Sequence, residues 1–217
     1  MQGKVRMRVA IIGTGKVGGA IARGLKGKGP DVVLGARDPE TPEAVALAGD
    51  AGAGLKRPAA AAAGAEVVVL ALPWRVAEGA VKALGDLNGK VVIDCMNPLG
   101  LVDGALELIL GHTTSGAEVV QGWLPGARVV KTLNQVGAEI MARNAHLPHR
   151  PVQLVAGDDP SAKAAAMTLL ADLGFDALDA GELIRARLLE PLALVWINQS
   201  ILRGKGRDWA FAAVSGG

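Results

Sequence analysis

The sequence predicts an α/β fold: a doubly wound, mainly parallel sheet with a short helical extension toward the C-terminal end. Three observations carry that expectation. The first is the stretch from Arg8 to Arg37, in which the apolar run Val9-Ala10-Ile11-Ile12 enters Gly13-Thr14-Gly15-Lys16-Val17-Gly18. A helix-forming segment from Gly19 to Gly29 and a second apolar run, Asp31-Val32-Val33-Leu34-Gly35, follow. The second is a series of unbroken apolar runs, such as Val67-Val68-Val69-Leu70 and Val91-Val92-Ile93. They lack the alternation expected of a sheet with one wet face. The third is composition: half of the residues are hydrophobic, yet there are only four Trp, two Phe and no Tyr. The core must then be built from Ala, Val, Leu and Ile, as suits strands buried on both faces.

The first strand, from Val5 to Ile12, opens a Gly-x-Gly-x-x-Gly turn, the signature of a Rossmann-type dinucleotide-binding βαβ unit. Gly13 permits the tight turn, Gly15 lets backbone approach a pyrophosphate, and Gly18 allows close helix-sheet packing. The pyrophosphate would rest on the helix N-terminus, where unpaired N–H groups and the positive dipole end favour an anion. The second strand ends at Arg37, where an acidic residue would bind a ribose 2'-hydroxyl and an arginine instead suits a 2'-phosphate. NADP is therefore expected over NAD, although Asp38 adjoins this position.

Asp38 to Glu43 reads as a turn capping a helix from about Pro42 to Gly49, with a small-residue segment then reaching Gly64. Glu66 to Leu72 is the next strand, ending at Pro73-Trp74, followed by a helix to Leu84. Lys90 to Asp94 is another strand, leading into Cys95-Met96-Asn97-Pro98-Leu99. Ligands of open α/β sheets bind outside the carboxyl ends of strands, so both proline loops should face the cofactor. Farther on, a short helix is expected near Gly104 to Leu110 and another from Gly116 to Leu124. Arg128 to Asn134 is a strand and its exit, Val136 to Asn144 is helical, Pro151 to Gly157 a strand, Pro160 to Leu173 a helix, and Phe175 to Asp179 the last strand. From Gly181, Ile184, Leu188, Leu192 and Val195 recur at helical spacing, marking a buried helix that Pro191 should kink or divide. The length suits one domain over residues 1–217, with the helical extension covering about 181–217.

Charge and cysteine usage exclude several classes. A net charge of +2 with no basic cluster offers no footprint for nucleic acid. Cys95, the only cysteine, excludes an intrachain disulfide framework and points to the reducing cytoplasm. Lys4, Arg6 and Arg8 precede an apolar run too short for a signal peptide, and Leu188 to Leu202 is interrupted and too short for a membrane span. His112, His146 and His149 have no partners at metal-ligand spacing, so no metal site is expected.

The chemistry-bearing candidates are few. Trp74 suits either stacking on a flat ring or core packing. Asn97 and Asn134 suit either bonding a carboxamide or forming turns. Lys131 and Glu190 are acid-base groups by type, but structural roles are commoner for such residues. No Ser-His-Asp arrangement exists and no catalytic side chain is assigned; hydride transfer between redox rings needs positioning, with the cofactors carrying the chemistry.

The chain resembles the NADP oxidoreductase, coenzyme F-420-dependent family, and through it the reductase domain of the STEAP metalloreductases. The resemblance rests on Ile12-Gly13-Thr14-Gly15 with Gly18, Leu34-Gly35-Ala36-Arg37, Leu72-Pro73-Trp74 and Asp94-Cys95-Met96-Asn97-Pro98-Leu99. It continues through Leu124 to Asn134, Gly157-Asp158-Asp159 and Ala186 to Ala193. It implies NADP(H) held by Thr14, Gly15, Ala36 and Arg37, with hydride exchange to a flavin or 5-deazaflavin near Pro73, Asn97 and Asn134. The cofactor-binding set expected from motif and resemblance together is Gly13, Thr14, Gly15, Lys16, Val17, Gly18, Ala36, Arg37, Leu72, Pro73, Trp74, Asn97, Pro98 and Asn134. Ala36 replaces a family serine, and Thr41 stands where some members carry a basic residue, so NADP preference should be weaker than in those members. The competing readings are a reductase of a small imine or keto substrate, which normally needs a longer helical domain, and a non-catalytic NADP(H) sensor. A homodimer through Leu188, Leu192 and Trp196 and a small-molecule redox substrate are the expected partners.

Overall fold

The computed structural model describes residues 6–216; Lys4 and the start of the first expected strand at Val5 lie outside them. β1 (Arg8–Ile12), α1 (Lys16–Leu25), β2 (Asp31–Gly35), α2 (Pro42–Ala51), β3 (Gly54–Lys56), α3 (Pro58–Ala63), β4 (Val67–Leu70), α4 (Trp74–Lys82) and β5 (Val91–Asp94) form the first half. A hairpin of β6 (Leu99–Val102) and β7 (Ala105–Leu108) follows, then α5 (Gly116–Trp123), β8 (Arg128–Lys131), α6 (Ala138–Ala142), β9 (Val152–Gly157), α7 (Pro160–Asp172), β10 (Asp176–Gly181) and α8 (Ala186–Ile197).

The described residues form a sheet of order β10-β9-β8-β5-β4-β1-β2-β3. From β3 to β8 neighbouring strands are parallel, and the chain winds outward in both directions from β1 and β4. That reversal opens a crevice at their carboxyl ends. Alternate residues of β1 explain why both faces are dry. Val9 and Ile11 enter a core beneath α1, α2, α6 and α7, whereas Ala10 and Ile12 enter a second core beneath α3, α4 and α5. The mainly parallel, doubly wound expectation is met.

Several local expectations change. β9 runs antiparallel to β8, pairing only through Val130 with Gly157 and Lys131 with Ala156, and β10 follows β9 in parallel. The connection between them contains only the five-residue α6, and β9 enters the sheet from the β8 exit end. α1 begins three residues earlier than expected and stops at Leu25, because Lys26 leaves helical geometry and Gly27 adopts φ 71°. The small-residue segment holds β3 and α3, which Ala-rich sequence without period conceals.

The helix expected near Gly104 to Leu110 is instead the β6–β7 hairpin. Asp103 and Gly104 take φ 49° and 83°, positive at both central positions as a primed two-residue turn requires. The Asp-Gly pair was the available signal. α8 is also reoriented. Its buried side carries Leu189, Ala193 and Trp196, while the spaced residues Ile184, Leu188 and Val195 face outward, Leu188 being 62% exposed. Both faces of this segment are apolar, so spacing alone selected the wrong one. Pro191 does not divide α8; it is exposed, and a proline at this point removes only one helical donor.

α5 and α8 are tied by a two-pronged ion pair. Arg187 Nη2 and Nε donate to Glu118 Oε1 and Oε2 at 2.6 and 2.9 Å, and Ser115 caps the helix by accepting from Glu118 N. The Arg187 hydrogen bond, outweighing partial burial, holds the Glu118 carboxyl below its usual range. A depressed carboxyl contributes stability above its unfolded pKa of ~4.3 and loses it as pH falls through the lower folded value. Glu118→Gln should therefore cost about 1 kcal/mol at pH 7 and flatten the decline of unfolding free energy below about pH 4.5. Urea titrations from pH 7 to pH 3 check this; an unchanged acid slope would mean the pair contributes nothing.

Candidate functional site

The glycine turn is shaped by what its residues lack. Gly13 has φ 113°, donates its N–H to the Gly35 carbonyl at 3.1 Å, and leaves no room for a Cβ against the Ala71 carbonyl oxygen. A Cβ on Gly18 would collide with the carbonyl of Gly13. Together these absences let α1 start directly at the β1 exit and lie on the sheet. α1 has no side-chain cap, with Gly15 at the cap position, whereas Thr41, Ser115 and Asp159 cap α2, α5 and α7. The first helical N–H groups have no intrahelical partners. Open space lies within 4 Å of where a Gly15 Cβ would stand, so these donors sit beside room for an anion.

That space belongs to a cleft of about 450 Å³ at the β1–β4–β5 carboxyl edge. Gly15, Lys16 and Val17 form one wall, Leu72, Pro73 and Trp74 a second, and Asn97 with Cys95, Met96 and Leu99 a third. The sequence-predicted residues Thr14, Ala36, Arg37, Pro98 and Asn134 lie outside this lining, while Gly13 and Gly18 hold the turn from behind. Ala36 is buried, its N–H bonded to the Lys56 carbonyl at 2.9 Å, and Arg37 is exposed just beyond. The Trp74 ring stacks on Trp123 at 5.5 Å between centroids and also borders the cleft.

Asn97 and Asn134 are partners. Asn97 Nδ2 donates to the Asn134 carbonyl at 2.9 Å, and Asn134 Nδ2 donates to Asn97 Oδ1 at 3.0 Å and to the Leu189 carbonyl at 3.1 Å. Gln135 Nε2 donates to Asn134 Oδ1 at 2.9 Å. Asn134 is thus engaged within the protein, and Asn97 presents the half-buried amide at the cleft wall. Leu133, buried at φ 58°, is the bend that brings Asn134 back toward Asn97. A leucine in this region costs about 1–2 kcal/mol, which the four amide bonds offset.

Behind the amides lies a buried ion triad. Lys131 Nζ contacts Asp94 Oδ2 and Glu190 Oε1, each at 2.9 Å, with all three side chains sealed from solvent. Lys131 also donates to the Met96 carbonyl, Asp94 Oδ1 accepts from Met96 N at 2.9 Å, and Glu190 accepts from the N–H groups of Gly116 and Ala117. Burial alone would push the Lys131 ammonium down, but the charges and hydrogen bonds of Asp94 and Glu190 outweigh it and hold its pKa above the ordinary value. Lys131 is a permanent cation, not a proton donor poised near neutrality. Cys95, beside Asp94, has its thiol pushed far up by burial and then by the Asp94 charge, so it stays protonated.

Reasoning from sequence missed Asp94 as the partner of Lys131 and Glu190. Charged residues inside otherwise apolar strands were the signal, since buried charges must be paired. It also missed Arg57, which β3 carries to the Arg37 turn: Arg57 Nη1 donates to the Arg37 carbonyl at 3.1 Å.

A glycine-rich turn opening a helix at the reversal point of such a sheet defines the Rossmann-type dinucleotide-binding class. Residues 8–98 match the family described as NADP oxidoreductase, coenzyme F420-dependent. The chain is 35% identical to a candidate F420-dependent NADP-reductase from an Arthrobacter species, with a TM-score of 0.86 over 96% of this chain and all of that one. It therefore belongs to that family of NADP-dependent oxidoreductases. It is also 30% identical over 195 residues to the rat metalloreductase STEAP3, spanning 36% of that protein's length. A reductive aminase of Aspergillus terreus, solved with NADPH and ethyl-5-oxohexanoate, shares the fold at 20% identity and a TM-score of 0.66, over 92% of this chain and 64% of that one.

Lys131→Met would leave Asp94 and Glu190 as uncompensated buried charges. A loss of ~3–5 kcal/mol in unfolding free energy is expected. Chemical denaturation at pH 7 checks it, and a loss under about 1 kcal/mol would contradict the paired-charge account.

Proposed function

We propose that this cleft binds NADPH and delivers its hydride to a flavin or 5-deazaflavin. The observation that carries the proposal is the meeting, in one cleft, of the uncapped glycine turn and a wall of apolar rings beside the Asn97 amide. The N–H groups of Lys16, Val17 and Gly18 would hold the pyrophosphate, with the Lys16 side chain beside it. Gly13, Thr14 and Gly15 shape that turn, while Ala36 and Arg37 would receive the adenosine ribose and its 2'-phosphate. Leu72, Pro73 and Trp74 would exclude water from the ring end, with Pro98 and Asn134 fixing the loop behind it. Asn97 keeps one amide hydrogen and one carbonyl lone pair free of its bonds to Asn134, enough to orient a carboxamide. The nicotinamide supplies the hydride, and no protein acid is required.

Family membership supports NADP use, and the names of relatives support a ring-type acceptor. The test mixes the protein with NADPH and, separately, FMN, FAD, riboflavin and a 5-deazaflavin. Loss of nicotinamide absorbance with at least one is expected; no loss with any would refute the acceptor assignment. Gly15→Ala sharpens the test, because its Cβ meets no protein atom and enters only the ligand space. NADPH affinity should fall about tenfold or more with the thermal midpoint within about 2 °C. Equal losses of affinity and stability would show that Gly15 serves the fold alone.

The same reading includes a homodimer over the outward residues Ile184, Leu188 and Val195, but not Trp196. That ring is buried, stacks on Trp209 at 5.9 Å, and donates its N–H to the Trp209 carbonyl. Light scattering should give twice the chain mass; a monomer would remove the dimer.

A further inference from the structure

We infer that Arg57, from the β3 exit, forms with Arg37 a two-arginine clamp for the adenosine 2'-phosphate and is the second determinant of NADP over NAD. The inference rests on the NADPH reading above. Its basis is a juxtaposition that the sequence does not display, since twenty positions separate the two arginines.

β2 and β3 pair in parallel, with Gly35 opposite Lys56, so both strands release their next residues at the same edge. The Ala36 N–H continues that pairing by donating to the Lys56 carbonyl at 2.9 Å. Arg37 and Arg57 therefore leave the sheet side by side. Arg57 reaches across, its Nη1 donating to the Arg37 carbonyl at 3.1 Å. The same edge is joined to the glycine turn, because the Gly35 carbonyl accepts from Gly13 N at 3.1 Å. A phosphate attached to a ribose at the β2 exit would lie beside the Arg57 guanidinium and next to Arg37.

Both arginines are exposed, and the neighbouring acidic groups form no ion pair with Arg37 or Arg57 among the described residues. Asp38, the adjacent acid, is turned into its own loop, Oδ1 accepting from Glu40 N at 3.1 Å. Thr41 is occupied as the α2 cap, accepting from Ala44 N and donating to the Asp38 carbonyl at 3.3 Å each. A dianion at this edge can accept charge-assisted hydrogen bonds from both arginines. Arg57 thus brings a second cation from β3 to the edge where Arg37 stands.

The test measures binding of NADPH, NADH, 2',5'-ADP and 5'-ADP to the full chain, Arg57→Gln and Arg37→Gln by calorimetry, with circular dichroism confirming the fold. Arg57→Gln should weaken NADPH and 2',5'-ADP about tenfold or more and change NADH and 5'-ADP less than about twofold. The unmodified chain should also lose NADPH affinity with added salt more steeply than the variant does. Equal weakening of all four ligands, or no change in any, would overturn the clamp while the NADPH reading stands. An unmodified chain that binds 5'-ADP as tightly as 2',5'-ADP would overturn the 2'-phosphate site itself, Arg37 included.

Discussion

The arrangement of the cleft depends on one buried ammonium. Lys131 stands between Asp94 and Glu190, and the three come from β5, β8 and α8, segments brought together only by folding. Taking such charges from water is costly unless every remaining donor and acceptor is met. Here the main chain meets them: Met96 offers both its carbonyl and its N–H, and the first residues of α5 offer theirs to Glu190. The carboxyl edge of the sheet, the loop bearing Asn97, the start of α5 and the middle of α8 are consequently fixed relative to one another. Displacing any of them would expose or unpair a charge.

The opposite wall of the cleft is fixed by a different means. The glycine turn is permitted by the absence of Cβ atoms at Gly13 and Gly18 and held by backbone bonds that join it to the β2 and β4 exits. One wall is therefore backbone brought close, open to an anion, and the other is side chains locked by a polar network. Hydride transfer between rings makes little use of a titrating side chain and much use of fixed distances.

Legibility followed periodicity and special residues. β1, β4 and β5 were plain because continuous Val and Ile runs mean burial on both faces. The glycine turn was plain because its spacing after an apolar strand is distinctive, with Gly13 and Gly18 each answering a steric demand. The β6–β7 hairpin was hidden by weak apolar content despite its Asp103-Gly104 pair, and α3 by alanines that favour a helix without marking a face. α8 misled in another way, since Leu188 and Leu189 are equally apolar and only the packing of α8 in the folded protein decides which one is covered.

The sequence by itself determined the class of fold, its main parallel strands and the glycine turn, because these are set by local sterics and by the dryness of a sheet covered on both faces. Tertiary structure alone decided that β9 reverses, that Asn134 serves Asn97, that Glu190 completes the Lys131 triad and that Arg57 stands beside Arg37. The physical reason is the same in each case. Those facts are pairings between residues distant in the chain, and the free energy of a pairing depends on distances that no local pattern records.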